Sequence, residues 1–174
     1  MAVVDCAMAD EDVRILKKVE QFLFREARTL DHRDYEAWFD MLTDDVRYVV
    51  LAQEMREAGA KAVSYALIDE GRSDLGLRID QIKNPRLSRA ENPPSLARRL
   101  ISNIEILGAP TDHALKVSSY VMAYRARGNV PQGGFYVGER SDVIRVTSDG
   151  LRLAHREVIL DQAILFDGAL TTIL

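Results

Sequence analysis

The second half of the chain is dominated by four segments in which apolar and polar residues alternate. This period of two is typical of strands, because successive side chains of a strand point to opposite faces of a sheet. Turn-forming residues rich in glycine and proline separate the segments. The pattern predicts a meander of four long antiparallel strands, over residues 96–107, 113–127, 134–146 and 151–165.

The start of the chain has the period of helices instead. Apolar residues spaced three or four apart predict a long first helix over residues 11–30, whose first turn is acidic and suits its positive N-terminal end. A second apolar face repeats at i, i+3, i+4 and i+7 from Tyr35. It predicts a short helix that directs Trp38 and Phe39 into the core.

Helices that precede a run of strands indicate an α+β domain. A strand over residues 44–51 and a further helix over 74–82 complete the predicted elements, whereas residues 52–73 have no firm period. The expected fold is a curved antiparallel sheet wrapped around the N-terminal helices. The 174 residues contain no linker-like stretch, so we expect a frayed tail at residues 1–10 and one domain over residues 11–174.

The charge and hydropathy of the chain argue against several classes of protein. The net charge is −4 and no basic run with interleaved aromatic residues offers phosphate contacts, so we expect no nucleic-acid partner. No apolar run approaches the ~20 residues of a membrane span. The N-terminus also lacks the features of a signal peptide, so we expect a cytoplasmic protein with no membrane association. The single cysteine, Cys6, is expected to be an exposed, inert thiol.

Residues suited to metal or cofactor chemistry are few. A Rieske cluster requires two cysteines and two histidines, and the chain has one cysteine. The three histidines, His32, His113 and His155, lie on different predicted elements, so we expect them not to share a metal ion. The sequence also lacks a nucleophile elbow and a glycine-rich phosphate loop. These residue types predict no metal and no cofactor on this chain.

The stretch LDHRDYEAWFDML, residues 30–42, has two interpretations. Inside a cone of sheet and helices, Asp31 and His32 with Tyr48 would form an acid/base set whose pKa values are moved by burial. In the other interpretation Asp31 and Asp34 cap the second helix, because a side-chain oxygen there satisfies free N–H groups. The first interpretation predicts catalysis and the second predicts structure alone.

Six arginines lie on the predicted strands among apolar residues. The alternation places several guanidinium groups on one face of the sheet, close to acidic residues. They form either solvated salt bridges, which stabilise little individually, or a charged protein–protein interface. The arginines are Arg98, Arg99, Arg140, Arg145, Arg152 and Arg156.

Three blocks of the sequence carry a resemblance to a known family. The first is FLFREARTLDHRDYEAWFDMLTDDVRYVV (22–50), the second is ENPPSLARRLISNIEI (91–106), and the third joins YVGERSDVIRV (136–146) to LRLAHREVILDQAIL (151–165). In this order they resemble the small, or beta, subunit of aromatic-ring-hydroxylating dioxygenases. The similar features are its Glu-Ala-x-x-Leu-Asp helix, its Pro-Pro-Ser turn, its Gly-Glu-Arg-x-Asp hairpin and its closing Leu-Asp-Gln strand.

The resemblance implies a structural subunit. Members of that family adopt the cystatin-like, or nuclear-transport-factor-like, cone and form a homotrimer that carries three large alpha subunits in an α3β3 hexamer. The large subunit holds the Rieske iron–sulfur cluster and the mononuclear iron, which receive electrons from NADH and dihydroxylate an aromatic compound. The resemblance therefore implies no catalytic residue and no cofactor on this chain.

A second function remains compatible with the same fold. Cone folds also include stand-alone enzymes that resemble scytalone dehydratase and work without a cofactor, and fold does not determine function. An isomerase, dehydratase or cyclase of this kind would use Asp31, His32 and Tyr48. Such an enzyme needs an open cavity with converging polar groups, whereas a structural subunit can fill its cone with side chains.

Overall fold

Three helices and six strands make up the part of the chain that the structure, a computed structural model, describes. The described residues are 10–54, 63–84, 86–87, 91, 93–111, 113–128, 133–163, 165, 170 and 172–174. The helices are α1 (Asp10–Asp31), α2 (Tyr35–Asp40) and α3 (Arg72–Lys83). The strands are β1 (Leu42–Glu54), β2 (Val63–Gly71), β3 (Leu96–Thr111), β4 (Ala114–Ala126), β5 (Gly134–Thr147) and β6 (Gly150–Leu160).

Helix α1 forms because its sequence favours both its N-terminal end and its inner face. Acidic residues occupy the first turn, where the free N–H groups of the helix favour negative charge. Val19, Leu23 and Leu30 follow one another at helical spacing and are buried. The helix predicted over residues 11–30 is confirmed, with one residue added at each end. The rest of the predicted tail, with Cys6, lies outside the described residues.

The short helix α2 is held by a cap at its start and a tryptophan on its inner face. The Oδ1 atom of Asp34 accepts a hydrogen bond from the backbone N–H of Ala37 at 3.2 Å. The predicted cap is therefore confirmed for Asp34, but it is wrong for Asp31, which ends α1 and contacts an arginine instead. Trp38 is completely buried, whereas Phe39 is partly buried at the edge of the core.

All six strands belong to one sheet with the order β2-β1-β6-β5-β4-β3. Neighbouring strands are antiparallel except β1 and β6, which run parallel. The predicted meander of four strands is confirmed as β3 to β6, and β1 and β2 extend it beyond β6. The predicted α+β class, an antiparallel sheet that curves around the N-terminal helices, is confirmed as well.

Strand β2 lies within the stretch 52–73, for which the sequence predicts no element. It forms one edge of the sheet, and Ser64, Tyr65 and Ala66 are exposed one after another, so buried and exposed side chains do not alternate there. Its pairing with β1 also shifts between Val50 and Leu51. An irregular edge strand of this kind leaves no period of two in the sequence.

The hydrophobic core lies between the helices and the concave face of the sheet. Along β4 the side chains of Val117 and Val121 point into the core, while Tyr120 and Met122 are exposed on the outer face. Helix α2 closes the core from one side, because the Trp38 ring lies edge-on to Tyr48 with 6.3 Å between ring centroids. The interior of the cone is thus filled by side chains from both layers.

Candidate functional site

A network of four charged side chains lies inside the cone. Glu26, Arg140, Asp142 and Arg156 are each at most 2% exposed. The Nη1 and Nη2 atoms of Arg156 donate to the two Glu26 oxygens at 2.6 and 2.8 Å. Its Nε and Nη2 atoms donate to Asp142 at 2.8 Å each, and Arg140 Nη2 donates to Glu26 at 2.9 Å. Two guanidinium groups and two carboxyl groups therefore contact one another within the core.

The local structure explains why these four side chains meet. Arg140 and Asp142 are two residues apart on β5, so both point to the concave face. Arg156 lies directly opposite Asp142 in the pairing of β5 with β6. Glu26 belongs to the buried stripe of α1, and its carboxylate also accepts a hydrogen bond from Trp38 Nε1 at 3.1 Å. Three elements of the fold thus converge on one carboxylate.

Burial sets the electrostatics of the network. It raises the pKa of Glu26, while the Arg140 guanidinium and the hydrogen bond from Trp38 act in the opposite direction. Burial likewise raises the pKa of Asp142 to about 7, again against the effect of Arg140. Burial of these four groups therefore costs a large desolvation free energy, which their hydrogen bonds and ion pairs must offset.

A second polar cluster surrounds residues 172–174. The Tyr48 hydroxyl donates to the carbonyl oxygen of Leu174 at 2.6 Å and accepts from its backbone N–H at 2.8 Å. Arg99 Nε donates to the carbonyl oxygen of Ile173 at 2.9 Å, and Arg99 Nη1 donates to Asp31 at 2.6 Å. Burial raises the pKa of the Tyr48 hydroxyl, so this group is a hydrogen-bond donor and not a base at neutral pH.

The three residues proposed for acid/base catalysis do different things in the structure. Asp31 pairs with Arg99, Tyr48 binds Leu174, and His32 is exposed at a surface depression of 240 Å³ beside Arg28. Within the described residues, no hydrogen bond or ion pair links the His32 side chain to either of the other two. Asp31 and Tyr48 therefore have different partners, Arg99 and Leu174. Their role in catalysis stays a prediction.

The strand arginines divide between the two faces of the sheet. Arg140 and Arg156 are buried in the network, so the expectation of one exposed, arginine-bearing face is wrong for them. Arg145, by contrast, is 43% exposed in its side chain and pairs with Asp45 at 2.9 Å. Sequence reasoning missed the network because charged residues seldom face a core. The available signal was Glu26, an acid within the apolar stripe of α1.

An apolar groove lies away from the charged network. It has a volume of 560 Å³, between the first half of α1 and strands β3 and β4. Its walls are mainly aliphatic, with Ile15, Leu16, Ile104 and Leu115 among them, and it contains none of the residues proposed for catalysis. Asp12 and Glu105 also line the groove, and neither belongs to the residues proposed for catalysis.

Two negative observations apply to the described part of the chain. No group of three or more His, Cys, Asp and Glu side chains there has an arrangement that could hold a metal ion. No helix in that part is both long enough and apolar enough to cross a lipid bilayer.

Comparison with known proteins identifies the family. Residues 25–167 match the family model described as the ring hydroxylating beta subunit. The chain belongs to this family. Among its relatives is the beta subunit of biphenyl 2,3-dioxygenase from Rhodococcus jostii strain RHA1, which is 30% identical over 171 residues, covering 94% of this chain and 90% of the relative. The predicted family resemblance is thus confirmed, and the chain is a beta subunit of a ring-hydroxylating dioxygenase.

Solved structures place this beta subunit in the cone fold. A chain of a naphthalene 1,2-dioxygenase, solved with indole bound in the active site, matches with a TM-score of 0.83 at 22% identity, over 98% of this chain and 89% of that chain. A protein from Novosphingobium aromaticivorans that is described as a possible scytalone dehydratase matches with a TM-score of 0.63 at 16% identity, over 89% of each chain. At these identities the matches show the fold alone.

The residues of this beta subunit do not fit a Rieske cluster. Its sequence contains one cysteine, whereas such a cluster takes two cysteines and two histidines. His32, His113 and His155 also lie apart, just after α1, beside β4 and within β6.

Proposed function

We propose that this beta subunit is a non-catalytic structural component of its dioxygenase. In this proposal the chain forms a homotrimer that supports three alpha subunits in a cytoplasmic α3β3 hexamer, and the hexamer dihydroxylates an aromatic compound. The Rieske cluster and the mononuclear iron belong to the alpha subunit and receive electrons that derive from NADH. The observation that carries the proposal is the packed core of the cone, in which the charged side chains of Glu26, Arg140, Asp142 and Arg156 contact one another.

The paired polar groups of the interior support a structural role. A catalytic acid or base must reach its substrate. Glu26 and Asp142 are buried, and their oxygens accept hydrogen bonds from Arg140, Arg156 and Trp38. Their contacts stabilise one arrangement of α1, β5 and β6 and leave these carboxylates no direct access to a substrate.

The outer face of the sheet supports assembly. Leu100 and Met122 are paired across β3 and β4 and are 59% and 42% exposed. Tyr124 and Phe135 are paired across β4 and β5, with 5.1 Å between their ring centroids, and Phe135 is 50% exposed. Adjacent apolar side chains of this size on a soluble protein mark an interaction surface. We call these four residues the outer apolar patch.

The proposal is tested by co-expressing this chain with its alpha subunit and purifying through a tag on this chain alone. We expect a complex with the native mass of six chains that contains iron, whereas the chain expressed alone forms an iron-free trimer. Sedimentation velocity gives the mass and elemental analysis gives the iron content. A monomer that captures no alpha subunit contradicts the proposal.

A further inference from the structure

The solvent-exposed side of helix α1 carries a row of basic side chains. Positions 14, 18, 21, 25 and 28 follow one another at spacings of three and four, so their side chains share one face of the helix. All five are exposed, and all are basic except Gln21. At a rise of 1.5 Å per residue this face is about 21 Å long. We call Arg14, Lys18, Arg25 and Arg28 the basic row.

The basic row lacks the acidic partners that a surface helix usually supplies. Within the part of the chain that the structure describes, no ion pair and no side-chain hydrogen bond involves any of its four members. Lys17, one position away from Lys18, has the usual arrangement and pairs with Glu20 at 2.9 Å. The four charges of the row are therefore available to groups of another molecule.

Helix stability does not explain the basic row. Arg14 and Lys18 are four positions apart and Arg25 and Arg28 are three apart, and like charges at these spacings destabilise a helix. The negative C-terminal end of α1 favours Arg28, but Arg14 and Lys18 lie in the first half of the helix. The row also opposes the net charge of the chain, which is −4. A row that costs stability is consistent with a role in binding.

A depression beside the second half of the row offers room for a side chain of a partner. It has a volume of 240 Å³, and Arg25, Arg28 and Thr29 are among its walls. Asp34 also lines it, but its Oδ1 atom accepts a hydrogen bond from the backbone N–H of Ala37. A carboxylate that enters the depression meets two guanidinium groups, whose planar donors match carboxylate geometry.

We propose that the basic row is the docking surface for an acidic partner protein that binds transiently through a line of carboxylates. Permanent interfaces are more apolar, and the row contains no apolar residue, whereas exposed charges speed the association of short-lived complexes. A nucleic acid fits less well, because the row has no Phe, Tyr or Trp on which bases stack. A membrane fits less well, because the apolar face of α1 is buried in the core and cannot insert. The proposal stands on this helix and does not rest on the α3β3 assembly.

The test titrates the chain into a fluorescein-labelled peptide of about twenty glutamates and follows fluorescence anisotropy. We expect binding that weakens at least about fivefold when salt is raised from about 50 to about 200 mM, because salt screens exposed charges. Arg25→Glu is expected to weaken binding about tenfold, since it replaces an attraction by a repulsion. Arg25→Gln, which only removes the charge, should give a smaller loss.

The matched control is Lys116→Glu, which reverses one exposed charge on β4, outside the row. Its affinity for the peptide should stay within about twofold of the unchanged chain. Circular dichroism checks that every variant is folded. Equal affinity of Arg25→Glu and the unchanged chain, or an equal loss for Lys116→Glu, overturns the proposal.

Two further probes identify the class of partner. Single-stranded DNA of about twenty nucleotides and vesicles of phosphatidylserine and phosphatidylcholine in equal parts are titrated in the same way. Tighter binding of either probe than of the peptide, with the same loss for Arg25→Glu, would assign the row to phosphate groups and overturn the proposal. The complex with the alpha subunit should bind the peptide as well as the chain alone does. Loss of binding in that complex would place the row in a permanent subunit interface and contradict transient docking.

Discussion

Arg140, Asp142 and Arg156 occupy strand positions that face the core, where apolar residues are the usual choice. Two of them, Arg140 and Asp142, belong to the YVGERSD block (136–142), which also contains Gly138. A Cβ atom on Gly138 would lie 2.3 Å from the carbonyl oxygen of Ile159, so only glycine allows β5 and β6 to approach at this point. The block therefore encodes a close strand contact followed by two inward charges.

Glu26 should be the most sensitive member of the charged network. Glu26→Ala leaves Arg140 and Arg156 with one carboxylate between them, which is expected to cost about 3–5 kcal/mol of unfolding free energy. The matched control is Glu20→Ala on the same helix, which removes a solvent-exposed pair with Lys17 and should cost about 0–1 kcal/mol. Urea unfolding measures both values. Equal losses for the two variants would show that the network adds nothing beyond a surface ion pair.

Asp142 should make stability depend on pH. Its pKa of about 7 in the folded protein exceeds the ordinary value of 3.8, so between these pH values the folded state keeps a proton that the unfolded state has lost. The free energy of unfolding is therefore expected to fall as the pH rises from about 4 to 7. Urea unfolding across this range should give a flatter profile for Asp142→Asn. Identical profiles would indicate that the two guanidinium groups keep Asp142 ionised throughout.

Among the elements, helix α2 has only six residues but contributes to both the apolar core and the charged network. It is too short to be stable alone, because helix formation has a costly nucleus. The cap at Asp34 and the burial of Trp38 stabilise this short helix within the folded protein. Through Nε1 the same tryptophan donates to Glu26, so α2 joins the apolar core to the charged network.

Trp38→Ala tests that connection. We expect a loss of about 3–5 kcal/mol, since a completely buried large side chain is removed. Leu77→Ala on α3 is the control, because Leu77 is 60% exposed, and its effect should stay within about 0.5 kcal/mol. Thermal unfolding distinguishes the two variants. An unchanged melting temperature for Trp38→Ala would reject the assignment of α2 to the core.

At the scale of the whole molecule, the cone has a packed interior and an apolar patch on its outer face. An enzyme with this fold would need an open cavity with a few converging polar groups. Residues 172–174 and the charged network occupy the interior, and the outer apolar patch lies on the opposite face of the sheet. The distribution of polarity therefore favours assembly over independent catalysis.

Met122→Lys tests the outer apolar patch. A lysine at the centre of an apolar contact would be desolvated without a partner, so we expect association of the chain to weaken at least about tenfold. Sedimentation of the variant alone and with the alpha subunit shows which contact is lost. Leu77→Lys is the control, as an exposed apolar residue on α3. Unchanged assembly of Met122→Lys would place the contact elsewhere.

His32→Ala and Asp31→Asn test whether this chain takes part in the chemistry. In the reconstituted dioxygenase we expect His32→Ala to leave turnover within about twofold. Asp31→Asn is expected to lower the melting temperature by weakening the contact with Arg99, with turnover per assembled complex unchanged. A loss of ~10² or more with intact assembly would instead assign acid/base catalysis to these residues.

Much of the architecture could be predicted because it follows from short-range periodicity. Alternation along the chain predicts β3 to β6, and helical spacing predicts α1, α2 and α3, since both periods are set by local backbone geometry. The edge strand β2 gave no such signal, because its exposed residues do not alternate. The parallel pairing of β1 with β6 joins residues about a hundred positions apart, as in Val50 with Val158, and no local pattern specifies it.

The sequence by itself determined the family, the α+β class and the helices and strands with a clear period. Only the tertiary structure decided where the charges lie. Arg140 and Arg145 have the same chemistry on the same strand, yet one is buried against Glu26 and the other is exposed beside Asp45. The physical reason is that burial and ion pairing depend on which distant elements come together. Tyr48 likewise meets Leu174, 126 positions further along the chain, only in the folded protein.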